Sequence, residues 1–74
     1  MEIRQRLGRN VRRLREQKGW SQEKFAFEAE IHRTYVSDIE RGVRNPTITI
    51  LEKLAVSLGV TASNLLEGEI ERQM

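Results

Sequence analysis

Apolar residues recur along this chain at spacings of three and four, which place side chains on one face of an α-helix. Residue types that favour turns, such as Gly, Asn and Pro, separate the segments that carry this pattern. The pattern predicts a first helix over residues 2–18, a second from Ser21 to a turn at 29–32, a third over about 33–41, a fourth over 48–58 and a short fifth after Thr61. Because the connections are only two to six residues long, we expect a compact all-α domain of five helices.

The second and third predicted helices are short and lie close together in the sequence. Ser21 is a residue type that caps helix N-termini, and Gly42 ends the third helix as glycine does one position past a helix. Val36 and Ile39 give the third helix an inward face. Two helices joined by a turn of three to four residues match the helix-turn-helix motif, whose second helix enters the major groove of DNA.

The opposite face of the third predicted helix carries side chains suited to reading DNA bases. Arg33, Thr34, Ser37 and Asp38 share this face. Arginine pairs with guanine, serine and threonine with several base edges, and a carboxylate accepts from cytosine N4. Two alternatives stay open: Asp38 pairs with Arg41 or Arg33 within the helix, and Arg33 contacts a phosphate, which positions the protein without specifying sequence.

Over residues 11–66 the chain resembles the phage repressor/Cro helix-turn-helix family, also called the xenobiotic-response-element (XRE) family. The segment from His32 to Ser37 and the small size are most similar to controller proteins of restriction–modification systems. The resemblance implies a lambda repressor-like DNA-binding fold and a dimeric regulator that binds operators upstream of its own gene and of an endonuclease gene. The residues that carry it are Leu14, Arg15, Gly19, Ser21, Gln22, Phe25, Ala26, Ile31, Val36, Ile39, Glu40, Arg41, Gly42, Asn45, Pro46, Leu51, Leu54, Leu58, Gly59, Val60, Leu65 and Leu66.

The resemblance also implies roles for individual residues. It places base contacts on the polar face of the third helix and a phosphate contact at Gln22, beside helix-end amides that suit an anion. It pairs Glu40 with Arg15, which assigns both to the scaffold because a buried carboxylate needs such a partner. The predicted DNA-binding residues are Ser21, Gln22, Arg33, Thr34, Tyr35, Ser37, Asp38, Arg41, Arg44 and Asn45.

The turn before the third helix departs from the family at Glu30, where the family usually has Gly. That position often requires a positive φ, which costs a non-glycine residue about 1 kcal/mol or more. We expect His32 to cap the third helix weakly. Trp20, just before the Ser21 cap, is expected either to staple the second helix by packing on Phe25 or simply to fill the core.

The chain of 74 residues is expected to form one domain, residues 1–74, with a core over 2–66 and a frayed tail over 67–74. Its net charge of +2 is unevenly spread, because residues 1–20 carry seven basic and two acidic residues whereas the rest of the chain is slightly acidic. A basic end suits a polyanion such as DNA, although a solvated helix face is the simpler explanation.

The residue types present argue against an enzyme. With no cysteine and one histidine, the chain offers neither a disulfide nor a metal site, and we expect no cofactor. His32, Ser37 and Asp38 lie on one helix and cannot form a catalytic triad. No apolar run approaches 18 residues and the N-terminus has no apolar signal region, so we expect no membrane span and a cytoplasmic location.

Three other functions stay open. A phage-type repressor or the antitoxin of a toxin–antitoxin pair would share the fold. A protein-interaction module that does not bind DNA is favoured by the five acidic residues within residues 21–46. RNA polymerase is a further candidate partner of a regulator bound near a promoter.

A domain of this size contacts only a few base pairs, so we expect a homodimer that reads a pseudo-palindromic operator. Its two recognition helices would lie about 34 Å apart to enter successive major grooves. The interface is expected in the C-terminal half, because the reading face must stay free and the first helix is strongly basic. The candidates, each of which would otherwise belong to the core of the single chain, are Ile50, Val56, Val60, Leu65 and Leu66.

Overall fold

The computed structural model of the chain describes residues 2–68. They form five α-helices: α1 (Ile3–Gln17), α2 (Gln22–Ala29), α3 (Arg33–Glu40), α4 (Ile48–Leu58) and α5 (Ala62–Leu66). The predicted all-α fold of five helices is confirmed, and the predicted helix ends lie within one or two residues of the observed ends. Within residues 2–68, no helix is both long and apolar enough to cross a membrane.

Side-chain caps start four of the helices, and at α1 the Glu2 carboxylate accepts from the Arg4 amide at 2.9 Å. Ser21 Oγ accepts from an amide in the first turn of α2 at 3.0 Å, and Thr47 does the same for α4 at 3.2 Å. At α5, Thr61 and Asn64 form a reciprocal capping box. His32 occupies the N-cap position of α3 but makes no side-chain cap hydrogen bond, so the expected weak cap is wrong.

Helices α1 to α4 each end at a residue in the left-handed conformation, which lies one position past α2 and α4 and two positions past α1 and α3. That residue is a glycine after α1, α3 and α4, with φ between 74° and 76° at Gly19, Gly42 and Gly59. After α2 it is Glu30, with φ 60° and ψ 45°, and the next amide donates back to an α2 carbonyl at 3.0 Å. The positive φ expected at this position is confirmed. Glu30 therefore adopts a backbone conformation that glycine, which has no Cβ atom, would adopt without steric cost.

The core lies between the five helices, and α3 packs against both α1 and α2. Trp20 stacks on Phe25 with ring centroids 6.1 Å apart and is packed against the core, so both of its expected roles are seen. The buried apolar residues are Leu7, Val11, Phe25, Ala26, Ala29, Val36, Ile39, Leu54, Ala55, Leu58 and Leu65.

Side chains of α1 hold the C-terminal end of α5. The Asn10 amide donates to the carbonyls of Leu65 at 2.9 Å and Glu67 at 2.8 Å, and Arg6 donates to the carbonyl of Leu66 at 3.1 Å. These bonds satisfy carbonyl groups that a helix end leaves free. Glu67, predicted to begin the frayed tail, is thus fixed by hydrogen bonds, whereas residues 69–74 of that predicted tail lie outside the described residues.

Candidate nucleic-acid interface

Helix α3 has one buried face and one solvent face, as its sequence pattern predicts. Val36 and Ile39 are 0% and 1% exposed, whereas Arg33 and Thr34 are exposed and Ser37 is half-buried. The apolar face packs into the core, so Arg33, Thr34 and Ser37 lie on the side away from it and are accessible to a partner.

The N-terminal end of the solvent face is open. Within residues 2–68, the side chains of Arg33 and Thr34 make no hydrogen bond or ion pair. A guanidinium group without an intramolecular partner keeps its five N–H donors for an external acceptor. This end of α3 therefore offers an arginine at a predicted base-reading position.

The C-terminal end of the same face is filled by contacts between charged side chains. Asp38 Oδ1 accepts from Arg41 Nη2 at 2.7 Å, and Asp38 Oδ2 accepts from Arg44 Nη2 at 3.1 Å. The Arg44 guanidinium lies 4.2 Å from the centre of the Tyr35 ring, within cation–π range. We call Tyr35, Asp38, Arg41 and Arg44 the arginine cluster. Of the alternatives for Asp38, the structure shows the ion pair with Arg41 and adds a second pair, with Arg44, that the helical spacing does not predict.

Glu40 lies on the inner side of α3, where its side chain is 4% exposed and that of its partner Arg15 is 11% exposed. Arg15 donates to the two Glu40 carboxylate oxygens at 2.6 and 3.0 Å and to the carbonyl of Trp20 at 2.8 Å. Hydrogen bonding to Glu40 raises the pKa of Arg15 above its usual value, so this arginine stays charged. The pairing of Glu40 with Arg15 is confirmed, and it fixes α3 against α1.

The remaining predicted DNA-binding residues flank α3. Gln22 is half-buried, and its amide nitrogen donates to Glu40 Oε1 at 3.0 Å. Ser21 is exposed at the start of α2, and Asn45 is exposed in the segment after α3. The structure thus brings the arginine cluster into contact, while Ser21 and Asn45 stand on separate segments.

Gly8 positions α3, a role that the sequence pattern does not predict. A Cβ atom at Gly8 would lie 2.5 Å from the carbonyl oxygen of Ile39 and 2.7 Å from that of Glu40. No side chain fits there, so the backbone of α1 approaches the end of α3 closely. The available signal was a glycine inside an otherwise regular helical pattern, which often marks such an approach.

Several basic side chains of α1 bond within the chain. Arg4 pairs with Glu2 at 2.9 Å and Arg12 with Glu16 at 3.1 Å. The two arginines already described hold the ends of α3 and α5. The basic N-terminal end therefore stabilises α1 and its contacts, which weakens its interpretation as a DNA-binding face.

The candidate dimer residues differ in burial. Val56 is 68% exposed, whereas Ile50, Val60 and Leu66 are partly buried against the core. Leu65 is 0% exposed. Leu65 therefore belongs to the core of the single chain, the second of its two expected roles, and leaves no surface for a partner.

Known proteins share this arrangement. Residues 11–65 match the family model HTH_3, described as helix-turn-helix. The control protein C.BamHI of Bacillus amyloliquefaciens is 50% identical over 66 residues, which cover 88% of this chain and 82% of that protein. The solved restriction-modification controller protein C.AhdI from Aeromonas hydrophila is 39% identical with a TM-score of 0.81, over 84% of this chain and 94% of that one.

A third similar protein was solved with DNA. SinR, the master regulator for biofilm formation, in complex with DNA, is 35% identical with a TM-score of 0.79, over 82% of this chain and 98% of that chain. The matched regions include α2 and α3, which carry the solvent-facing side chains. The resemblance to the XRE family, and within it to controller proteins, is confirmed. The chain therefore belongs to the helix-turn-helix family of DNA-binding transcription regulators.

Proposed function

We propose that this protein is a sequence-specific transcription regulator of the restriction–modification controller type, which binds operators upstream of its own gene and of an endonuclease gene. The observation that carries the proposal is the solvent face of α3, where Arg33 and Thr34 are exposed while the ion pair between Glu40 and Arg15 anchors the helix beneath them. Base readout in the major groove requires a fixed helix with free polar side chains. The 50% identity with C.BamHI favours the controller type over a phage repressor or an antitoxin.

The proposed assembly is a homodimer on a pseudo-palindromic operator, acting in the cytoplasm. Val56 supports this assembly because it exposes 68% of a large apolar side chain on α4, in the C-terminal half of the chain with the partly buried Ile50, Val60 and Leu66. Exposed apolar surface of this kind often marks a contact with another protein. Two-fold symmetry would then present two copies of α3 to successive major grooves, about 34 Å apart.

RNA polymerase is the proposed partner for activation. Phe27 is 76% exposed, and it lines a shallow cleft together with Glu23, Glu28 and Glu30. Apolar side chains beside carboxylates suit a protein surface that offers apolar and basic groups. The same surface would serve an interaction module that does not bind DNA, so DNA binding decides between these functions.

Binding of the purified protein to duplex fragments from upstream of its gene tests the proposal. We expect one fragment to bind about a thousandfold more tightly than random duplex at physiological salt, and sedimentation to give a dimer on that fragment. Equal affinity for all fragments would contradict sequence-specific regulation. No binding to any duplex at low salt would favour the interaction module.

The substitution Val56→Glu tests the interface. It should shift sedimentation toward the monomer and weaken operator binding, because it places a carboxylate in the proposed contact. Ile3→Glu is the matched control, since Ile3 is 49% exposed and lies on α1, outside the proposed interface. A dimer that survives Val56→Glu would place the interface elsewhere.

A further inference from the structure

Asp38 holds two arginines with a single carboxylate on the surface that is proposed to meet DNA. Its side chain is 20% exposed, and those of Arg41 and Arg44 are 63% and 42% exposed. Each carboxylate oxygen accepts from one arginine, at 2.7 and 3.1 Å. Two cations therefore share one anion at the point where α3 ends, and the orientation of both depends on that anion.

Arg44 is held from two sides as well as through the backbone. Its guanidinium stacks 4.2 Å from the centre of the Tyr35 ring and donates to Asp38 through Nη2. The Val43 N–H donates to the carbonyl of Asp38 at 3.1 Å, so the backbone next to Arg44 is tied to the end of α3. Within residues 2–68, the other Arg44 donors make no hydrogen bond. These donors are thus presented in one orientation.

Orientation matters because arginine has two uses on DNA. A guanidinium in a fixed position reads a base edge bidentately, and little rotamer entropy is lost on binding. A guanidinium that moves freely finds the nearest phosphate on any duplex, which adds affinity without adding sequence information. The partner that fixes an arginine therefore influences how well a protein discriminates its site.

We infer that Asp38 is a positioning residue for sequence discrimination. Together with Tyr35 it fixes Arg44, whose remaining donors read a base edge in the operator. It also keeps Arg41 and Arg44 from the phosphates of random DNA. The carboxylate acts through the arginines and does not itself contact a base. The inference rests on the proposed function and adds a second reading arginine, beyond Arg33, together with the group that orients it.

The test compares wild type with Asp38→Asn on the operator fragment and on random duplex over a range of salt. We expect the ratio of operator to random affinity to fall about tenfold, because operator binding weakens and random binding strengthens. On random duplex, the slope of log affinity against log salt should steepen by about one for each arginine that is released, since each neutralises one more phosphate. A variant that only loosened the fold would lower both affinities and would not steepen the slope.

Two further variants decide how Asp38 acts. In an Arg44→Gln background, Asp38→Asn should leave the ratio of operator to random affinity nearly unchanged. A full loss of the ratio in that background would show that Asp38 reads a base itself and would overturn the inference. Glu16→Gln makes the same charge change at an exposed pair on α1. An equal effect from Glu16→Gln would attribute the result to net charge and would also overturn it.

The outcomes separate this inference from the proposed function. If wild type shows no preference for any upstream fragment, the proposed function fails. If wild type discriminates and Asp38→Asn discriminates equally well, only the role of Asp38 fails.

Discussion

The two ends of α3 are built in different ways. Before its N-terminal end the chain passes through Glu30 in the left-handed conformation, with φ 60°, and His32 gives no side-chain cap. Arg33 is exposed and makes no hydrogen bond or ion pair within residues 2–68. Few contacts fix the side chains of this end, so they are free to adjust to a bound duplex.

The C-terminal end of α3 carries two carboxylates that are both engaged. The Glu40 side chain is 4% exposed and accepts from Arg15 and Gln22, while Asp38 organises the arginine cluster at the surface. Although only two residues apart, the first carboxylate anchors the helix to α1 and the second orients side chains toward solvent. Helix α3 is therefore anchored at its C-terminal end and adaptable at its N-terminal end.

Glu40→Ala should have the largest effect and tests the anchor. The free energy of unfolding should fall by about 3–5 kcal/mol, because the substitution leaves the Arg15 guanidinium buried without its carboxylate. Denaturant unfolding followed by circular dichroism measures the change. Asp38→Ala is the matched control on the same helix, and we expect it to cost about 1 kcal/mol or less because its pairs are more exposed. Equal losses from the two substitutions would erase the distinction between anchor and surface.

Gly8→Ala tests the contact between α1 and the anchored end of α3. Helix propensity alone predicts that alanine stabilises α1 by about 1 kcal/mol. The new methyl group would instead meet the carbonyl oxygen of Ile39 at 2.5 Å, so we expect a net loss of about 1–3 kcal/mol from overpacking. The sign of the change in melting temperature decides whether helix propensity or overpacking has the larger effect. A rise would show that the helices separate at little cost and that the contact does not fix α3.

Arg33→Ala tests the adaptable end. We expect operator binding to lose about 1–3 kcal/mol and random duplex binding to change far less, because a base contact is lost rather than a phosphate contact. Unfolding free energy should stay within about 0.5 kcal/mol, since the side chain is exposed. Arg12→Ala removes the same charge from an exposed pair on α1 and should leave the preference for the operator intact. Equal losses on operator and random DNA would show that Arg33 only positions the protein.

The sequence predicted the features that depend on local signals. The cap at Ser21 and the stop at Gly42 each act within a few residues, and the observed helices begin and end beside them. The pairing of Glu40 with Arg15 spans 25 residues and was predicted from the family resemblance. Helical periodicity shows which residues share a face of one helix, but not which residues of two helices come into contact.

The features that the sequence did not predict depend on packing between segments. Asp38 and Arg44 are six residues apart, and the chain leaves the helix between them, so the spacing rules for a helix no longer apply. The contact of Asn10 with Leu65 spans 55 residues. Leu65 and Val56 are both aliphatic candidates for a dimer interface, and only their exposures of 0% and 68% separate core from surface.

Glu30→Gly should have the smallest effect of the four and acts on the turn before the adaptable end. Glycine takes a φ of 60° without the clash of a Cβ atom, so we expect the free energy of unfolding to rise by about 1 kcal/mol, less the added entropy of the unfolded chain. Glu28→Gly is the matched control two residues earlier. Because Glu28 lies within α2, its replacement should lower stability by about 1 kcal/mol. Changes of opposite sign in the free energy of unfolding of the two variants, measured by denaturant unfolding, would place the steric cost at the turn. Unchanged operator affinity for Glu30→Gly would show that this cost does not affect the DNA-reading face of α3. A loss of stability with glycine at position 30 would mean that the Glu30 side chain contributes more than its backbone conformation costs.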